Sequence, residues 1–189
     1  MEDKEIQYLK LFKSVCKNIN SSLDFGEVLK SITKNAATML GVKGCAIFLL
    51  DKEQNRLRVS ASYGLSEGYI NKGPIDAEKS MVESLSGKWV LVSDAANDSR
   101  IQYPEEAKKE GVGSILSVPM IVRERIIGVL RIYTSTLREI SDVENEFISG
   151  LAEIGSIGIE NARMYNHLKD DYENLVNDVH EWFYFGKNP

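Results

Sequence analysis

The chain has 189 residues, of which 43% are hydrophobic and 27% are charged, enough for one sizeable core but not for two. Its formal net charge of -5 provides no basic field for nucleic acid or an anionic membrane, so neither is an expected partner. No apolar run approaches the roughly 20 residues of a membrane span, and the N-terminus lacks an apolar signal core. Two cysteines are too few for a disulfide framework. We therefore expect a cytoplasmic domain.

The N-terminal segment predicts two amphipathic helices. Apolar residues recur at three- and four-residue steps between residues 4 and 20, which indicates the first helix. The second begins after Ser22 or Asp24, either of which can act as N-cap, and ends at Gly41. This second helix is expected to lie on a sheet.

Two strand hairpins are predicted. The first joins an apolar strand at residues 44–51 to a strand at 56–63 in which apolar and polar residues alternate. That alternation gives the second strand one wet face and places it toward a sheet edge. The other hairpin, residues 113–134, is apolar on almost every residue of both strands. Both faces of the sheet must therefore be covered there.

The segment between the hairpins, residues 64–113, is expected to cover one face. Glycine and proline punctuate it, and only a helix near residues 80–86 and a strand at 88–94 are predicted within it. Long irregular segments in a compact domain usually cover or bind something. The order of elements predicts an α+β fold with a largely antiparallel sheet. The terminal helices lie on one face, and loops and short helices enclose a space on the other.

A long helix is predicted from Ser141 as N-cap, with Glu144 at the capping-box position. Its apolar residues follow a nearly unbroken heptad line over about 50 Å, which is more than one small sheet can cover. We expect a homodimer through the terminal helices. A parallel pairing explains the line, with Asn161 fixing the register, and an antiparallel pairing stays open. The expected interface residues are Tyr8, Phe12, Val15, Phe147, Leu151, Ile154, Gly158, Asn161, Tyr165, Leu168, Tyr172 and Leu175.

Four consecutive aromatic residues, Trp182, Phe183, Tyr184 and Phe185, stand near the end of this helix. Because exposing such a cluster to water is costly, we expect it to dock. The partner is either the chain's own N-terminal helix or a separate signalling protein.

Five segments carry a resemblance to a known family. They are SLDFGEVLKSITKNAATMLGVKGCAIFLLD, LRVSASYGL, GKWVLVSDAANDSR, GVGSILSVPMIVRERIIGVLRIY and SDVENEFISGLAEIGSIGIENARMY. In this order they resemble the GAF domain, a sensory module similar in architecture to PAS domains, over residues 22–168. The resemblance implies a six-stranded antiparallel sheet with helices on one face and a small-molecule pocket on the other. Residues 1–21 and 169–189 are then helical extensions.

Several signatures of ligand-specific GAF members do not match this chain. The Asn-Lys…Phe-Asp-Glu signature of cyclic-nucleotide-binding members is not recognisable, and neither Cys16 nor Cys45 has the adjacent histidine used by members with a covalent bilin. His167 and His180 lie on the last helix, which argues against a haem ligated by histidine. Members that reduce methionine sulfoxide use several pocket cysteines. We therefore expect no cofactor, and an unidentified small-molecule ligand.

The candidate pocket residues each have a structural alternative. Arg131, inside an apolar strand, either binds an anionic ligand group or pairs with a carboxylate. Asp94 accepts hydrogen bonds from a ligand or caps its own turn, Ser117 needs a backbone or ligand partner, and Arg100 with Tyr103 forms a lid contact or is simply exposed. The full candidate set is Phe48, Tyr63, Met81, Asp94, Arg100, Tyr103, Ser117, Met120 and Arg131.

No nucleophile is placed beside a base, and no cluster of carboxylates or metal ligands is evident, so neither a catalytic nor a metal site is predicted. The sequence predicts a small-molecule-binding sensory domain that acts in signal transduction as a homodimer. One alternative is a dimerisation scaffold that binds no ligand. The other is an enzyme that acts on a small oxidised metabolite through Cys45.

Overall fold

A computed structural model describes residues 2–21, 24–51, 56–73, 75–76, 82–138 and 140–185. These residues form six helices and six strands. In chain order they are α1 (Glu2–Ser21), α2 (Phe25–Leu40), β1 (Gly44–Asp51), β2 (Arg56–Tyr63), α3 (Glu67–Ile70), β3 (Ile75–Asp76), α4 (Val82–Leu85), β4 (Val90–Val92), α5 (Pro104–Glu110), β5 (Ser114–Val122), β6 (Arg125–Thr134) and α6 (Asp142–Phe185).

The strands form one six-stranded sheet in the order β3-β2-β1-β6-β5-β4, and every neighbouring pair is antiparallel. The prediction of an α+β fold with an antiparallel sheet is confirmed. Both predicted hairpins are present, and the pairing of β1 with β6 joins them at the centre of the sheet. The β5–β6 turn places Arg123 and Glu124 at φ 47° and 64°, the left-handed region that a two-residue hairpin turn requires at both positions.

The helices cover one face of the sheet. α2 packs on β1 and β2, α6 packs on β5, and α1 packs on both helices. The ring of Tyr8 in α1 stacks on that of Phe147 in α6, with the ring centroids 4.6 Å apart. The core on this face includes Leu29, Ile32 and Ile148, which are fully buried.

The predicted caps explain where α2 and α6 begin. The Asp24 carboxylate accepts a hydrogen bond from the Glu27 backbone N–H at 3.0 Å, and Gly41 ends α2 at φ 58°. The alternative cap, Ser22, lies outside the described residues. At the start of α6, the backbone N–H of Glu144 donates to the Ser141 hydroxyl at 3.3 Å. The Glu144 carboxylate in turn accepts from the Ser141 backbone N–H at 3.1 Å.

α6 is longer than the domain that supports it. Its 44 residues span about 66 Å, and its last buried residue is Ala162. From Arg163 onward, every side chain of α6 that is described is exposed. We call residues 163–185 the distal half of α6. Within the described residues, no helix is both long and apolar enough to cross a membrane.

Candidate functional site

The face of the sheet opposite the helices is covered as well. Because successive strand residues point to opposite faces, Ile47 and Leu130 lie in the core under the helices, whereas Phe48 and Val129 lie in a second core. The segment between the hairpins completes this second core with Tyr69, Ile75, Val90, Val92, Ala95, Ile101, Ala107 and Val112. The continuous apolar strands therefore do have cover on both faces.

A cleft of about 550 Å³ opens on this side, between β2 and the segment from α3 to β3. We call it the β2 cleft. Its size lies within the range of roughly 300 to 1,000 Å³ that is common for small-molecule sites. The apolar lining consists of Phe48, Leu57, Val59, Ile70 and Ile75, and the remaining lining of Arg56, Arg58, Asn71 and Gly73. The lining thus suits a ligand with an apolar body and polar edges.

The outer wall of the β2 cleft is fastened to the loop that precedes α5. Gly73, at φ 136°, lies so close to Tyr103 that an added Cβ would stand 2.6 Å from the tyrosine hydroxyl oxygen. The side-chain carbonyl of Gln102 accepts a hydrogen bond from the Asp76 backbone N–H at 3.0 Å. At position 73, only glycine permits both the φ of 136° and this close approach to Tyr103. The loop before α5 therefore contacts both Gly73 and β3.

Arg131 in β6 is the most deeply buried cation of the loop-covered face in the described residues, with 4% of its surface exposed. Its Nε–H donates to the Ser117 hydroxyl at 3.1 Å. Burial raises the pKa of Tyr133, and the nearby Arg131 charge opposes that rise. Its Cζ lies 5.7 Å from the centroid of the Phe48 ring, which lines the β2 cleft. Arg131 is therefore separated from the cleft by one aromatic ring.

A second cation lies close to Arg131. The Lys72 ammonium lies 3.7 Å from the centroid of the Tyr69 ring and donates to the Tyr69 carbonyl at 2.7 Å. The Tyr69 ring meets the Tyr133 ring edge-on at 5.8 Å. Desolvation and, second, the Arg131 charge lower the pKa of Lys72 to about 8, while Glu106 and Glu110 oppose the shift. The two cations thus repel each other on this partly buried face.

Ser84 in α4 has an unsatisfied hydroxyl. Its side chain is fully buried, and its Oγ has no hydrogen-bond partner within the described part of the chain. α4 packs on β5 and β6, the strands that carry Ser117 and Arg131, and Val90 in the following strand pairs with Ser117. Because a buried hydroxyl without a partner is costly, this position calls for an explanation.

A family model for the GAF domain matches residues 24–161. The chain belongs to the GAF domain family. Members of this family are in general regulatory domains of signalling proteins. This GAF domain is 27% identical over 192 residues to the methyl sulfide methyltransferase-associated sensor of Methanosarcina acetivorans. The alignment covers 96% of the chain but only 19% of that sensor, so the chain spans about a fifth of the length of its curated relative.

Solved structures share the fold of this GAF domain. The GAF domain of a phosphoenolpyruvate-protein phosphotransferase from Coxiella burnetii has a TM-score of 0.77 at 18% identity, covering 86% of this chain and 98% of that one. Free methionine-R-sulfoxide reductase from Neisseria meningitidis has a TM-score of 0.71 at 17% identity, with coverages of 86% and 93%. At these identities the likeness shows the fold alone.

Two predicted pocket residues of this GAF domain lie elsewhere. Met120 is fully buried in the core under the helices, because it alternates with Ser117 and Pro119 along β5. Tyr63 is 43% exposed and stands opposite Cys45 at the end of β2, away from the cleft lining. Composition identifies a strand but not which face each of its residues takes.

Of the loop candidates of this GAF domain, Asp94 adopts its structural alternative, whereas Arg100 and Tyr103 are half-buried rather than simply exposed. Asp94 is exposed and accepts from the Ala96 backbone N–H at 3.1 Å, as an Asx turn requires. Arg100 pairs with Asp98 at 2.6 Å. Tyr103 packs on Gly73 rather than on the cleft. Met81 lies outside the described residues.

Phe48, Ser117 and Arg131 are the candidates that the structure brings together. Sequence reasoning missed the rest of the β2 cleft and also Tyr69, Lys72, Tyr133 and Ser84. One signal for the cleft was present, because Leu57 and Val59 alternate with arginines along β2, one strand in from the sheet edge. The polar face of a strand that lies beside an irregular segment can form the wall of a cleft as well as a solvated surface.

Part of the predicted dimer surface is buried inside the single chain. Tyr8, Val15, Phe147, Leu151 and Gly158 are covered by α1, α6 and the sheet, so these positions are not available to a second copy. Phe12 and Ile154 are half-buried against the same core. The exposed positions are Asn161, Tyr165, Leu168, Tyr172 and Leu175.

The two cysteines of this GAF domain are free. Cys45 is fully buried, and burial raises the pKa of its thiol well above the ordinary range, so the reactive thiolate is disfavoured. Among the described residues, no three His, Cys, Asp or Glu side chains are grouped so that they could hold a metal ion.

Proposed function

We propose that this GAF domain is a sensory module that binds a small molecule in the β2 cleft and acts as a homodimer through the distal half of α6. The observation that carries the ligand proposal is the β2 cleft itself, which combines an apolar floor with polar side chains at its edge. The sensor among its relatives supports a signalling role.

The homodimer proposal rests on the exposed apolar side of α6. Leu168, Tyr172, Leu175, Val179 and Trp182 recur at heptad spacing on the distal half and are between 48% and 70% exposed. Phe183 and Tyr184 extend the apolar surface to the end of the described helix, whereas the side chain of Phe185 lies outside the described residues. A second copy covers the largest part of this surface, and a separate signalling protein is the other candidate for the aromatic end.

β5 connects the two parts of the proposal. Its residue Ser117 lies on the ligand side with Arg131, whereas Val118, Met120 and Val122 lie in the core shared with α6. An added Cβ at Gly155 of α6 would stand 3.2 Å from the Met120 Cε, so helix and strand are in close contact. A ligand that shifts β5 therefore shifts α6, to the extent that it binds one packing better than the other.

Native mass spectrometry of protein purified from cells tests both parts, since it reports the assembly mass and any retained ligand. We expect a dimer that carries an additional small mass. Val59→Trp fills the cleft and is expected to lose that mass, whereas Ser60→Trp, an exposed neighbour on β2, retains it. A monomer without bound mass, in a sample that also shows no stabilisation by any member of a metabolite library, would refute the proposal.

A further inference from the structure

The helices leave a groove at the β4 edge of the sheet. α2 packs on β1 and β2, and α6 packs on β5. Leu91 alternates along β4 with Val90 and Val92, which lie in the core under the loops, so it points to the helix side, where it is 39% exposed. A groove of about 610 Å³ runs there between α6 and β5.

We call this space the α6 groove. Its apolar lining includes Trp89, Ile121, Ala152 and Ile157, of which Ile121 is 38% and Ile157 52% exposed. The residues that α6 contributes lie between positions 149 and 161, directly before the distal half begins. The groove and the exposed apolar side of the distal half are therefore continuous along one helix.

The α6 groove has the shape that receives a helix. One wall is a helix and the other a sheet edge, and amphipathic helices bind by laying their apolar face into such a groove. The distal half of a second copy is narrow enough to enter, because no sheet covers it from Arg163 onward. Residues 142–162 of a second copy are not, because they carry their own sheet. Only two α6 helices that run in opposite directions bring the distal half of one copy beside the groove of the other.

The charges also favour opposite directions. Residues 173–185 contain three acidic residues and no lysine or arginine, and a parallel dimer would place two such segments side by side. In the α6 groove, Arg123 and Glu153 carry opposite charges, and Glu160 pairs with Arg125 at 3.1 Å. An acidic segment therefore meets a nearly neutral surface in the antiparallel arrangement.

We infer that the homodimer is antiparallel and that the distal half of each copy, with its aromatic end, occupies the α6 groove of the other. The inference rests on the proposed function, because it names the surface that the same dimer uses. Residues 173–185 of one copy then lie beside residues 149–161 of the other, and the two-fold axis passes near His167. Residues 163–172 flank the axis and contain two basic and two acidic residues, so they can face their own counterpart without net repulsion.

Spin labels at two exposed positions measure the direction. Asn166→Cys lies near the axis, so its labels are within about 20 Å of each other in either orientation. Asn177→Cys lies further along the helix, and its labels are about 30 Å apart in the antiparallel dimer but within about 20 Å in a parallel one. Cys16→Ser removes the other accessible thiol, since Cys45 is fully buried. Dipolar electron paramagnetic resonance measures both distances.

Ile121→Asp tests the groove itself. This residue lines the α6 groove from β5 and is distant from the distal half of its own chain. We expect the dimer dissociation constant to rise about tenfold or more, because two isoleucines per dimer lose apolar contacts and two carboxylates enter the interface. Val143→Asp is the matched control, since Val143 is also 38% exposed but does not line the groove, and it should leave the constant unchanged. Sedimentation velocity measures the constant, and circular dichroism checks that both variants fold.

The outcomes separate this inference from the proposed function. A short distance at position 166 with a long one at position 177 supports the antiparallel dimer. Short distances at both positions overturn the inference but leave the homodimer standing. If neither position gives a distance between copies, the homodimer through the distal half fails as well. A folded Ile121→Asp variant that dimerises like the parent also refutes the occupation of the α6 groove.

Discussion

The distal half of α6 allows a quantitative prediction. Leu168 and Leu175 are 67% and 61% exposed in the single chain, and a dimer through this surface would cover that area. We consider the double variant Leu168→Asp with Leu175→Asp. It removes apolar contacts at two heptad positions and adds four carboxylates to each dimer interface.

The expected effect follows from the exposed fractions. Burying a complete leucine side chain contributes about 2 kcal/mol, so covering roughly two thirds of one contributes about 1.3 kcal/mol. Two leucines from each of two copies contribute about 5 kcal/mol, which corresponds to between three and four orders of magnitude in the dimer dissociation constant. Repulsion between the new carboxylates increases the loss.

Sedimentation velocity over a range of protein concentrations measures this constant. The matched control is Asn166→Asp with Asn177→Asp, which adds the same charge at exposed positions away from the heptad line and should leave the dimer intact. Circular dichroism checks that both variants keep their helix content. If the leucine variant and the parent sediment alike, whether as monomers or as dimers, the proposed interface is wrong.

Three further outcomes are expected. Gly128→Ala should lower the free energy of unfolding in urea by about 3 kcal/mol or more, since the new Cβ would stand 2.3 Å from a backbone carbonyl oxygen of the neighbouring strand. Gly68→Ala should be nearly neutral, since no atom lies within 4 Å of the Cβ it would add. Cys45 should resist iodoacetamide in the native protein and react only after unfolding, as peptide mass spectrometry would show; native labelling would contradict its burial. Burial raises the pKa of Glu110, but hydrogen bonds from Ser66 and the charge and hydrogen bond of Lys43 together more than offset this and hold it below the ordinary 4.5. The stabilising contribution of the ionised Glu110 is therefore present above pH 4.5 and is lost as pH falls through the lower pKa of the folded protein. Glu110→Gln should reduce the loss of thermal stability in acid. An unchanged dependence of the melting temperature on pH would contradict this role of Glu110.

The sheet and the helices could be predicted from the sequence because local patterns determine them. The continuous apolar residues of β5 and β6 require cover on both faces, and the Ser141–Glu144 capping box marks the start of α6. The exposed distal half of α6 follows from its length alone. These features depend on periodicity, which a single sequence contains in full.

The candidate site was less predictable, because it depends on which face a residue takes. Ser117 and Met120 stand three positions apart on β5 and therefore lie on opposite faces, yet both were equally plausible pocket residues in the sequence. Lys72 carries no comparable signal in the sequence, since its position over the Tyr69 ring depends on how α3 lies against the sheet. No short-range pattern encodes such contacts between distant segments.

The same alternation explains why one strand can carry a signal across the sheet. Ser117 contacts the buried arginine on one face, and its neighbour Val118 lies under α6 on the other, so we expect a shift of β5 on one face to displace the packing on the other. A closely packed interior transmits such displacements rather than absorbing them. The proposed ligand site and the proposed dimer interface would therefore be coupled directly through β5, a single strand only a few ångströms thick, and not through the loops.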